Sequence, residues 1–317
     1  MVTIGLTTYN AAETVEHAIS SALAQTWRPI EIVAVDDCST DTTKKILSRV
    51  ASCHPELRVF FNATNVGVGA SRNRILEEAR GEFIAFFDDD DESLSERIKL
   101  QLKRILAYES RFANSAPVVC HTARKRVYPD GLERFESSMG QIEDCRGPHG
   151  MAVAKRILLG TPLENGYGAC PTCSQMARLS TYRFVGGFDP RLRRGEDTDF
   201  TIRLALAGGH FVGIGQPLVT QRMTKTPEKS LAEEHRNLLL LIEKHRQLME
   251  REGQYDFCMR WMQARQVWLE GQRVAFVTKL LGLALRYPLL TGRRLIMAFP
   301  NIRLNHAFSR FHGGKDV

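Results

Sequence analysis

Short apolar runs alternate with helical stretches through the first 110 residues, and this alternation restricts the fold more than any other feature of the chain. The runs Ile30–Val35 and Phe83–Phe87 are rich in β-branched and aromatic residues, whereas Thr42–Val50 repeats its apolar residues at helical spacing. The centre of each run is continuously apolar, so we expect both to be buried on two faces. Repeated units of this kind predict an α/β fold with a mostly parallel sheet flanked by helices.

The same periodicity assigns an order of elements to the first half of the chain. The predicted strands are Val2–Leu6, Ile30–Val35, Leu57–Phe61 and Phe83–Phe87. The predicted helices between and after them are Ala12–Ala24, Thr42–Val50, Ala70–Arg80 and Glu96–Tyr108.

The second half of the chain gives a mixed pattern. Arg124–Tyr128 and Leu132–Phe135 predict a hairpin, because a Pro-Asp-Gly turn separates them. Residues 136–170 show little periodicity, and Gly168–Cys173 predicts a strand of small residues. From Leu231 to about Phe299 the pattern is helical, with expected breaks at Gly253, Pro288 and Gly292.

Charge is distributed unevenly along the chain. Its 317 residues include 43 Lys or Arg and 36 Asp or Glu, a net charge of +7, at an ordinary 43% hydrophobic content. Residues 253–317 contain ten basic and three acidic side chains, so residues 1–252 are neutral. Residues 1–252 therefore have the charge balance of an ordinary globular protein, and the basic excess belongs to residues 253–317.

Cysteine usage and the start of the sequence indicate a reducing compartment. No basic segment or cleavage site precedes the apolar run Val2–Leu6, so we expect a cytoplasmic protein. Seven cysteines, an odd number, disfavour a disulfide framework. Cys170 and Cys173 form a CxxC pair, but without a second pair nearby we expect a buried strand there rather than a zinc site.

Acidic residues follow two of the predicted strands. Asp36 and Asp37 end one, and five consecutive acids, Asp88–Glu92, end another. Ligands of open α/β sheets bind at these carboxyl ends, and Mg²⁺ or Mn²⁺ would offset the mutual repulsion of the acids. The alternative for Asp88–Glu92 is an acidic helix start that complements the helix dipole, and the residues alone favour neither.

Two further segments bear on the chemistry. Glu196 and Asp197 precede an amphipathic stretch, where they serve either a reaction or a helix cap. Ser71–Arg74 follows a glycine-containing segment and could approach a phosphate, or could be a solvated first helical turn. The first loop, Thr7–Asn10, lacks GxGxxG, and no GxxxxGK[ST] occurs, which disfavours dinucleotide and P-loop enzymes.

Together these motifs resemble the family 2 glycosyltransferases, nucleotide-sugar-dependent enzymes with a GT-A type fold. The matching segments are Thr7–Asn10, Val35–Asp41, Asn65–Asn73, Phe87–Asp91 and Gly186–Asp197. The resemblance implies a catalytic domain at residues 1–225, with a nucleotide-sugar half to about 115 and an acceptor half at 116–225. A basic helical extension at 226–317 would follow it.

The resemblance also implies a donor site. In the family pattern, Thr7, Tyr9 and Asp37 hold the nucleoside of a nucleotide sugar, and Arg72 contacts its diphosphate. The family's DxD metal motif falls on the acidic run, where Asp88 and Asp90 occupy its two acidic positions and would bind Mn²⁺ or Mg²⁺. Asp89 replaces the usual small middle residue and is assigned to the donor, so the division between ribose and metal stays open.

For catalysis, the resemblance assigns the base to Asp197 and an orienting or acceptor-binding role to Glu196. One base and in-line attack imply inversion at the anomeric carbon. We therefore expect transfer from a UDP-sugar to a saccharide or lipid-linked acceptor, in cell-envelope polysaccharide or glycolipid synthesis. The alternatives are a sugar-nucleotide nucleotidyltransferase, which usually has a cationic first loop, and a non-enzymatic basic module. No nucleic-acid partner is expected, since the tail is predicted to be an apolar helix with Arg rather than a sheet or groove that interleaves aromatic and basic residues.

The basic tail has two interpretations. Arg273, Lys279, Arg286, Arg293 and Arg294 are spaced to share one helical face, with apolar residues on much of the rest. Its uncharged stretches are too short to cross a bilayer. Either residues 253–317 contact the anionic inner membrane peripherally, on its cytoplasmic face, or the helices pack on the protein or on a second subunit.

Overall fold

The structure is a computed structural model that describes residues 1–223 and 231–298. The described residues form two compact units. The first contains residues 1–154 and 162–223, and the second contains residues 155–161 and 231–298. The domain boundary that we predict at residues 225 and 226 lies outside the described residues.

The first unit is built on strands that largely match the predicted ones. They are β1 (Val2–Thr8), β2 (Ile30–Asp36), β3 (Leu57–Phe61), β4 (Phe83–Asp88), β5 (Glu92–Ser93), β6 (Val118–Val127), β7 (Glu133–Glu136), β8 (Gln175–Arg178) and β9 (His210–Arg222). The helices are α1 (Val15–Leu23), α2 (Thr43–Cys53), α3 (Val68–Glu78), α4 (Arg97–Tyr108), α5 (Gly150–Leu159), α6 (Leu179–Val185) and α7 (Glu196–Leu206). The last residues of α5 belong to the second unit.

All of these strands join in one sheet of order β3-β2-β1-β4-β8-β6-β9-β5, with β7 also paired to β6. The first four strands are parallel, β8 runs antiparallel to both of its neighbours, and β6 and β9 are parallel. Helices cover the sheet, and the residues Ile32–Val35 of β2 are fully buried. The predicted α/β fold with a flanked, mostly parallel sheet is confirmed.

The sheet register brings the ends of β1, β2 and β4 together. Thr8 pairs with Asp36 across β1 and β2, and Thr7 pairs with Asp88 across β1 and β4. Since these strands are parallel, their carboxyl ends lie at one edge of the sheet. The loop after β1 is therefore flanked by the acidic ends of two strands.

The acidic run does not begin a helix. Asp88 ends β4, and Glu92 pairs with Thr220 of β9 in the short strand β5. Helix α4 begins only at Arg97 and has no acid in its first turn. The helix-dipole interpretation of the run is excluded, because a sheet strand separates the acids from the helix.

One predicted strand is wrong. Thr172–Ser174, at the end of the predicted strand Gly168–Cys173, forms a turn of 3-10 helix, and the strand of this region is β8, which begins at Gln175. The ladder explains the shift, because β8 must fit between β4 and β6, and Ala85 of β4 pairs with Met176. The buried Cys173 therefore lies in a turn rather than in a strand.

The second unit is helical, as predicted for the chain after Leu231. Its helices are α8 (Leu231–Lys244), α9 (Arg246–Arg251), α10 (Tyr255–Leu269), α11 (Arg273–Arg286) and α12 (Pro288–Ala298). Breaks fall near Gly253 and at Tyr287, but the predicted break at Gly292 is wrong, since that residue lies inside α12. A single glycine costs a helix only about 1 kcal/mol, which good helix formers around it offset. Gly271, in the left-handed region at φ +79°, separates α10 from α11 instead.

The basic residues of the second unit do not all face solvent. Arg293 and Arg294 of α12 are half-buried and donate to the carbonyls of Gly160 and Leu158 at 3.1 and 3.0 Å. The expectation that all five basic residues share one face is therefore wrong. Among the described residues, no helix is long and apolar enough to cross a bilayer.

The loop between β7 and α5, which the sequence left unassigned, crosses β9. The Gly140 carbonyl accepts a hydrogen bond from the Gly213 N–H at 2.8 Å, and its N–H donates to the Asn165 carbonyl. Gly140 has φ +81°, and a Cβ atom there would lie 2.3 Å from the Phe211 carbonyl oxygen. Gly131 has a similar φ of +80°, but a Cβ atom there would meet nothing within 4 Å.

These two glycines give a matched test of the loop. Gly131→Ala should cost about 1–2 kcal/mol of unfolding free energy for the left-handed backbone alone. Gly140→Ala should cost about 1–3 kcal/mol more, since the backbone of β9 must move. Urea unfolding followed by circular dichroism measures both values, and equal losses in the two variants would contradict the close approach of the loop to β9.

Candidate active site

The loop after β2 is held by Asp36. Its buried carboxylate accepts hydrogen bonds from the Thr8 hydroxyl at 3.2 Å and from the Ser39 N–H at 2.9 Å. Asn10, at positive φ, accepts from the Thr40 N–H with its side-chain oxygen. The loops that follow β1 and β2 are therefore fixed to each other.

Asp37 organises the next loop. Its carboxylate accepts hydrogen bonds from Asn62 Nδ2 at 2.9 Å, from the Val66 N–H at 3.0 Å and from the Gly67 N–H at 2.8 Å. Asp37 is buried, so these three donors replace water. Its contact with the nucleoside of the donor stays a prediction, because all three of these hydrogen-bond donors belong to the protein itself.

Tyr9 and Asp89 are joined across the sheet edge. The Tyr9 N–H donates to Asp89 Oδ2 at 3.0 Å, while the Tyr9 side chain is exposed. Thr7 lies beside Asp88 in the sheet register. The pKa of Asp89 is raised to about 8, first by burial and then by the nearby Asp90 and Asp88, while the hydrogen bond from the Tyr9 N–H lowers it. Thr7 and Tyr9, two of the residues predicted to hold the nucleoside, thus lie directly against the acidic run.

Two carboxylates of the run could share a cation. Ligand atoms of Asp88, Asp91 and Cys173 lie within 4.8 Å of one another. Asp91 is buried and accepts from the Arg222 N–H at 3.1 Å, while its Oδ2 atom has no hydrogen-bond partner among the described residues. Burial and then Asp88 and Asp90 raise the pKa of Asp91 well above its usual range.

This donor set fits a hard divalent cation. Carboxylate oxygens are the ligands that Mg²⁺ and Mn²⁺ prefer, and the buried Asp91 Oδ2 atom lacks a donor among the residues that the structure describes. Cys173 is less suited, since burial raises its pKa and its sulfur already accepts from Arg124 at 3.3 Å. This group pairs Asp88 with Asp91, whereas the family motif assigns the metal to Asp88 and Asp90, so the ligand role of Asp90 stays a prediction.

Arg72 of α3 joins the acidic run to the downstream acids. One terminal nitrogen donates to Glu196 and the other to Asp88 Oδ1 at 3.2 Å. The guanidinium is buried and lies over the Phe86 and Phe188 rings at 5.9 and 5.6 Å. Burial lowers the pKa of Arg72, but Glu196, Asp88 and Asp197 raise it above its ordinary value, so the cation persists.

The predicted contact of Arg72 with a diphosphate is therefore not visible in this arrangement. Both terminal nitrogens donate to carboxylates, and the guanidinium is buried rather than in open solvent. The contact with the donor stays a prediction. What the structure adds is a bridging ion pair that sequence reasoning missed, because its partners are 124 residues apart in the chain.

Asn73 holds the downstream loop beside Arg72. Its side-chain oxygen accepts from the Phe188 N–H and its Nδ2 donates to the Phe188 carbonyl, both at 2.8 Å. Gly187 has φ +67°, and a Cβ atom there would lie 2.5 Å from Asn73 Oδ1. The motif segments that contain Asn73 and Gly187 are thus in direct contact. Their joint presence in the sequence is the one signal from which this contact could have been predicted.

Helix α7 carries the remaining acids at its first positions. Burial raises the pKa of Glu196 to about 7, with Asp197 adding to the rise and Arg72 opposing it. Asp197 is half-buried and accepts from the Thr198 N–H at 2.6 Å. Asp199 is fully buried and pairs with Arg203 one turn along the same helix at 2.7 Å, so it stabilises α7.

The predicted site residues therefore fall into one region with two centres. Thr7, Tyr9, Asp88 and Asp89 meet at the ends of β1 and β4, and Glu196 and Asp197 meet at the start of α7. Arg72 connects these centres. Asp37 lies at the end of the neighbouring strand β2, which it follows directly.

The family model of glycosyl transferase family 2 matches residues 3–159. These residues, about half of the chain, belong to glycosyl transferase family 2. The succinoglycan biosynthesis protein ExoO of Rhizobium meliloti is 37% identical over 214 residues, covering 66% of this chain and 56% of that protein. The cholesterol galactosyltransferase of Borreliella burgdorferi is 31% identical over 112 residues, covering 35% and 29%. The chain spans about half the length of the first curated family relatives that it matches.

Solved structures show the same fold. TarS of S. aureus aligns with a TM-score of 0.58 at 22% identity, covering 84% of this chain and 43% of that one. Its residues 1–349 in complex with UDP-GlcNAc align with a TM-score of 0.60 at 21% identity, covering 84% and 72%. The GT-A type fold that the motifs predict is confirmed.

The Arg72 bridge predicts that the loss of two different arginines in the first unit has unequal costs in stability. Arg72→Ala leaves Glu196 and Asp88 without their shared cation and should cost about 3–5 kcal/mol of unfolding free energy. Arg49→Ala removes an exposed pair with Glu16 and should cost less than about 1 kcal/mol. Urea unfolding of both variants tests this, and a loss at Arg72 no larger than at Arg49 would show that the bridge contributes little.

Proposed function

We propose that this glycosyltransferase is inverting and metal-dependent, and that it moves a sugar from a UDP-sugar to an acceptor hydroxyl. The observation that carries the proposal is the Arg72 bridge, which ties the acidic run at Asp88 to Glu196, next to Asp197. The bridge thereby fixes the proposed donor-binding centre and the proposed catalytic carboxylate relative to each other. Such fixed geometry is what a transfer between two bound reactants requires.

The donor would lie across the ends of β1, β2 and β4. The exposed Tyr9 ring and Thr7 are available to the nucleoside, beside the loop that Asp37 holds. TarS, in its structures with UDP and UDP-GlcNAc, supports a uridine nucleotide as the donor class. A transfer assay with a panel of nucleotide sugars identifies which sugar the donor carries.

A divalent cation bound at the acidic run would neutralise charge on the departing diphosphate. Asp88 and Asp91, with Asp90 in the turn between them, are the carboxylates that would hold it. Arg72 holds the Asp88 carboxylate in place through their ion pair. The chain thus supplies both the ligands and the support that orients one of them.

Asp197 would act as the base. As the acceptor oxygen attacks the anomeric carbon, the bond from that carbon to the phosphate oxygen breaks, and the hydroxyl proton passes to the Asp197 carboxylate. The nucleoside diphosphate leaves on the opposite side, so the configuration inverts. Thr198 fixes the carboxylate through its N–H, and Glu196 is held aside by Arg72.

The acceptor would be a saccharide or a lipid-linked saccharide of the cell envelope. ExoO is named for succinoglycan biosynthesis, which supports a polysaccharide pathway. A sugar-nucleotide nucleotidyltransferase is disfavoured by family membership. The first loop, Thr7–Asn10, also has no cation for a triphosphate.

A change at Asp197 tests the assignment of the base. Asp197→Asn keeps the shape of the side chain but removes its proton-accepting charge, so turnover should fall about 10²–10⁴-fold. UDP binding, followed by calorimetry, should remain within a factor of about three, because Asp197 lies outside the predicted donor residues. The control is Asp144→Asn, an exposed carboxylate paired with Arg111. Unchanged turnover in Asp197→Asn would remove Asp197 from the reaction.

Metal removal tests the second assignment. Treatment with a chelator should abolish transfer, and Mn²⁺ or Mg²⁺ should restore it, because the acids of the run repel one another and the leaving diphosphate without a cation. Initial rates of UDP release with each metal measure the effect. Full activity in the chelator would contradict metal dependence while leaving glycosyl transfer intact.

A further inference from the structure

A cysteine lies among the carboxylates of the acidic run. Cys173 occupies the turn before β8, and ligand atoms of Cys173, Asp88 and Asp91 lie within 4.8 Å of one another. We call these three residues the thiol–carboxylate group. Mg²⁺ and Mn²⁺ prefer oxygen, whereas a thiolate sulfur is a ligand that softer divalent ions prefer. The group therefore contains a ligand that a hard cation does not use.

The spacing of the thiol–carboxylate group fits a four-coordinate zinc ion. Zinc binds thiolate sulfur at about 2.3 Å and carboxylate oxygen at about 2.0–2.2 Å, so its tetrahedral ligand atoms lie roughly 3.3–3.7 Å apart. Atoms that start within 4.8 Å of one another need to approach by at most about 1.5 Å. Rotation of side chains supplies such a shift, and water would complete the coordination.

Asp91 has an oxygen atom that a cation would satisfy. The residue is 4% exposed, and its Oδ2 atom has no hydrogen-bond partner among the described residues. A buried carboxylate oxygen without a donor costs free energy, which a metal bond would remove. Asp88 is only partly buried, with 26% of its side chain exposed, so an ion can enter the group from its side.

Arg97 supplies buried positive charge close to the group. It is fully buried, and its hydrogen bonds go to neutral acceptors, namely Gln101 Oε1 at 3.0 Å, Ser93 Oγ at 2.8 Å and the Phe86 carbonyl at 2.9 Å. Burial lowers its pKa to about 10, and the three members of the thiol–carboxylate group oppose this shift. Two carboxylates and a thiolate around a divalent ion leave one negative charge, which Arg97 offsets.

Arg124 orients the sulfur. Its Nη1 atom donates to Cys173 Sγ at 3.3 Å, while its own charge is paired with Glu136. Ligands of bound metals are commonly held by outer hydrogen bonds of this kind. Since a thiolate sulfur has further lone pairs, the hydrogen bond from Arg124 and a metal bond are compatible.

We propose that Cys173, Asp88 and Asp91 bind Zn²⁺. Sites of oxygen and sulfur ligands hold Zn²⁺ more tightly than Mn²⁺, and the thiolate adds to this preference. The sequence disfavours zinc at Cys170 and Cys173 because no second ligand pair lies nearby in the chain, but the fold supplies two carboxylates instead. Because Asp88 also belongs to the proposed Mn²⁺ site, the two ions exclude each other. This exclusion rests on the proposed function, whereas zinc binding itself does not.

Cobalt absorption of the full chain, without donor or acceptor, tests the proposal. Co²⁺ replaces Zn²⁺ in tetrahedral sites, and a thiolate ligand gives it a charge-transfer band in the near ultraviolet. The chain, freed of metal with a chelator, should develop this band with Co²⁺ and lose it when Zn²⁺ is added. Cys173→Ser should abolish the band and weaken Zn²⁺ binding at least about a hundredfold, since loss of an outer partner alone costs about 10–100-fold.

Cys258→Ser is the matched control, because this thiol of α10 is also buried and also lies beside an arginine, Arg294. It should keep the band. Asp91→Asn retains every cysteine and should weaken Co²⁺ binding at least about tenfold. Circular dichroism checks that each variant is folded.

Three results would overturn the proposal. They are the absence of the charge-transfer band in the wild type, a band that persists in Cys173→Ser, and unchanged Co²⁺ affinity in Asp91→Asn. None of them bears on glycosyl transfer, which is measured separately with donor and acceptor.

Discussion

The buried guanidinium of Arg72 is the interaction on which the candidate site depends. It joins Asp88 at the end of β4 to Glu196 at the start of α7, which local sequence could not bring together. Its neighbour Asn73 holds the backbone of Phe188 on the same side. Helix α3 therefore positions the downstream acids relative to the sheet, and removal of one partner would leave buried charge uncompensated.

Around this bridge the protein concentrates negative charge that the fold alone does not neutralise. Burial and mutual repulsion raise the pKa of Asp89 and of Asp91, which is the physical cost of placing these acids side by side. A site that binds a cation and a diphosphate makes use of such an arrangement. The basic excess of the sequence lies in residues 253–317, apart from these acids in the chain.

Much of the fold could be predicted because its signals are local. Continuous apolar runs gave β2 and β4, and the parallel register then placed Asp36 and Asp88 at one edge. The strand predicted at Gly168–Cys173 is wrong, because the pairing of β8 with β4 on one side and β6 on the other decides where β8 begins. These are contacts between residues far apart in the sequence. The partners of Arg72 could not be predicted from local sequence patterns either. The family resemblance nevertheless identified each of the motifs that the bridge connects.

Anomalous diffraction from a crystal of the full chain with UDP and Mn²⁺ tests the central claim most directly, since it locates the metal and the nucleotide together. The account predicts a manganese peak within coordination distance of carboxylates in Asp88–Asp91. It also predicts uridine beside Thr7 and Tyr9, with the Arg72 bridge intact beneath. A manganese peak away from this run, or UDP bound elsewhere on the chain, would contradict the account.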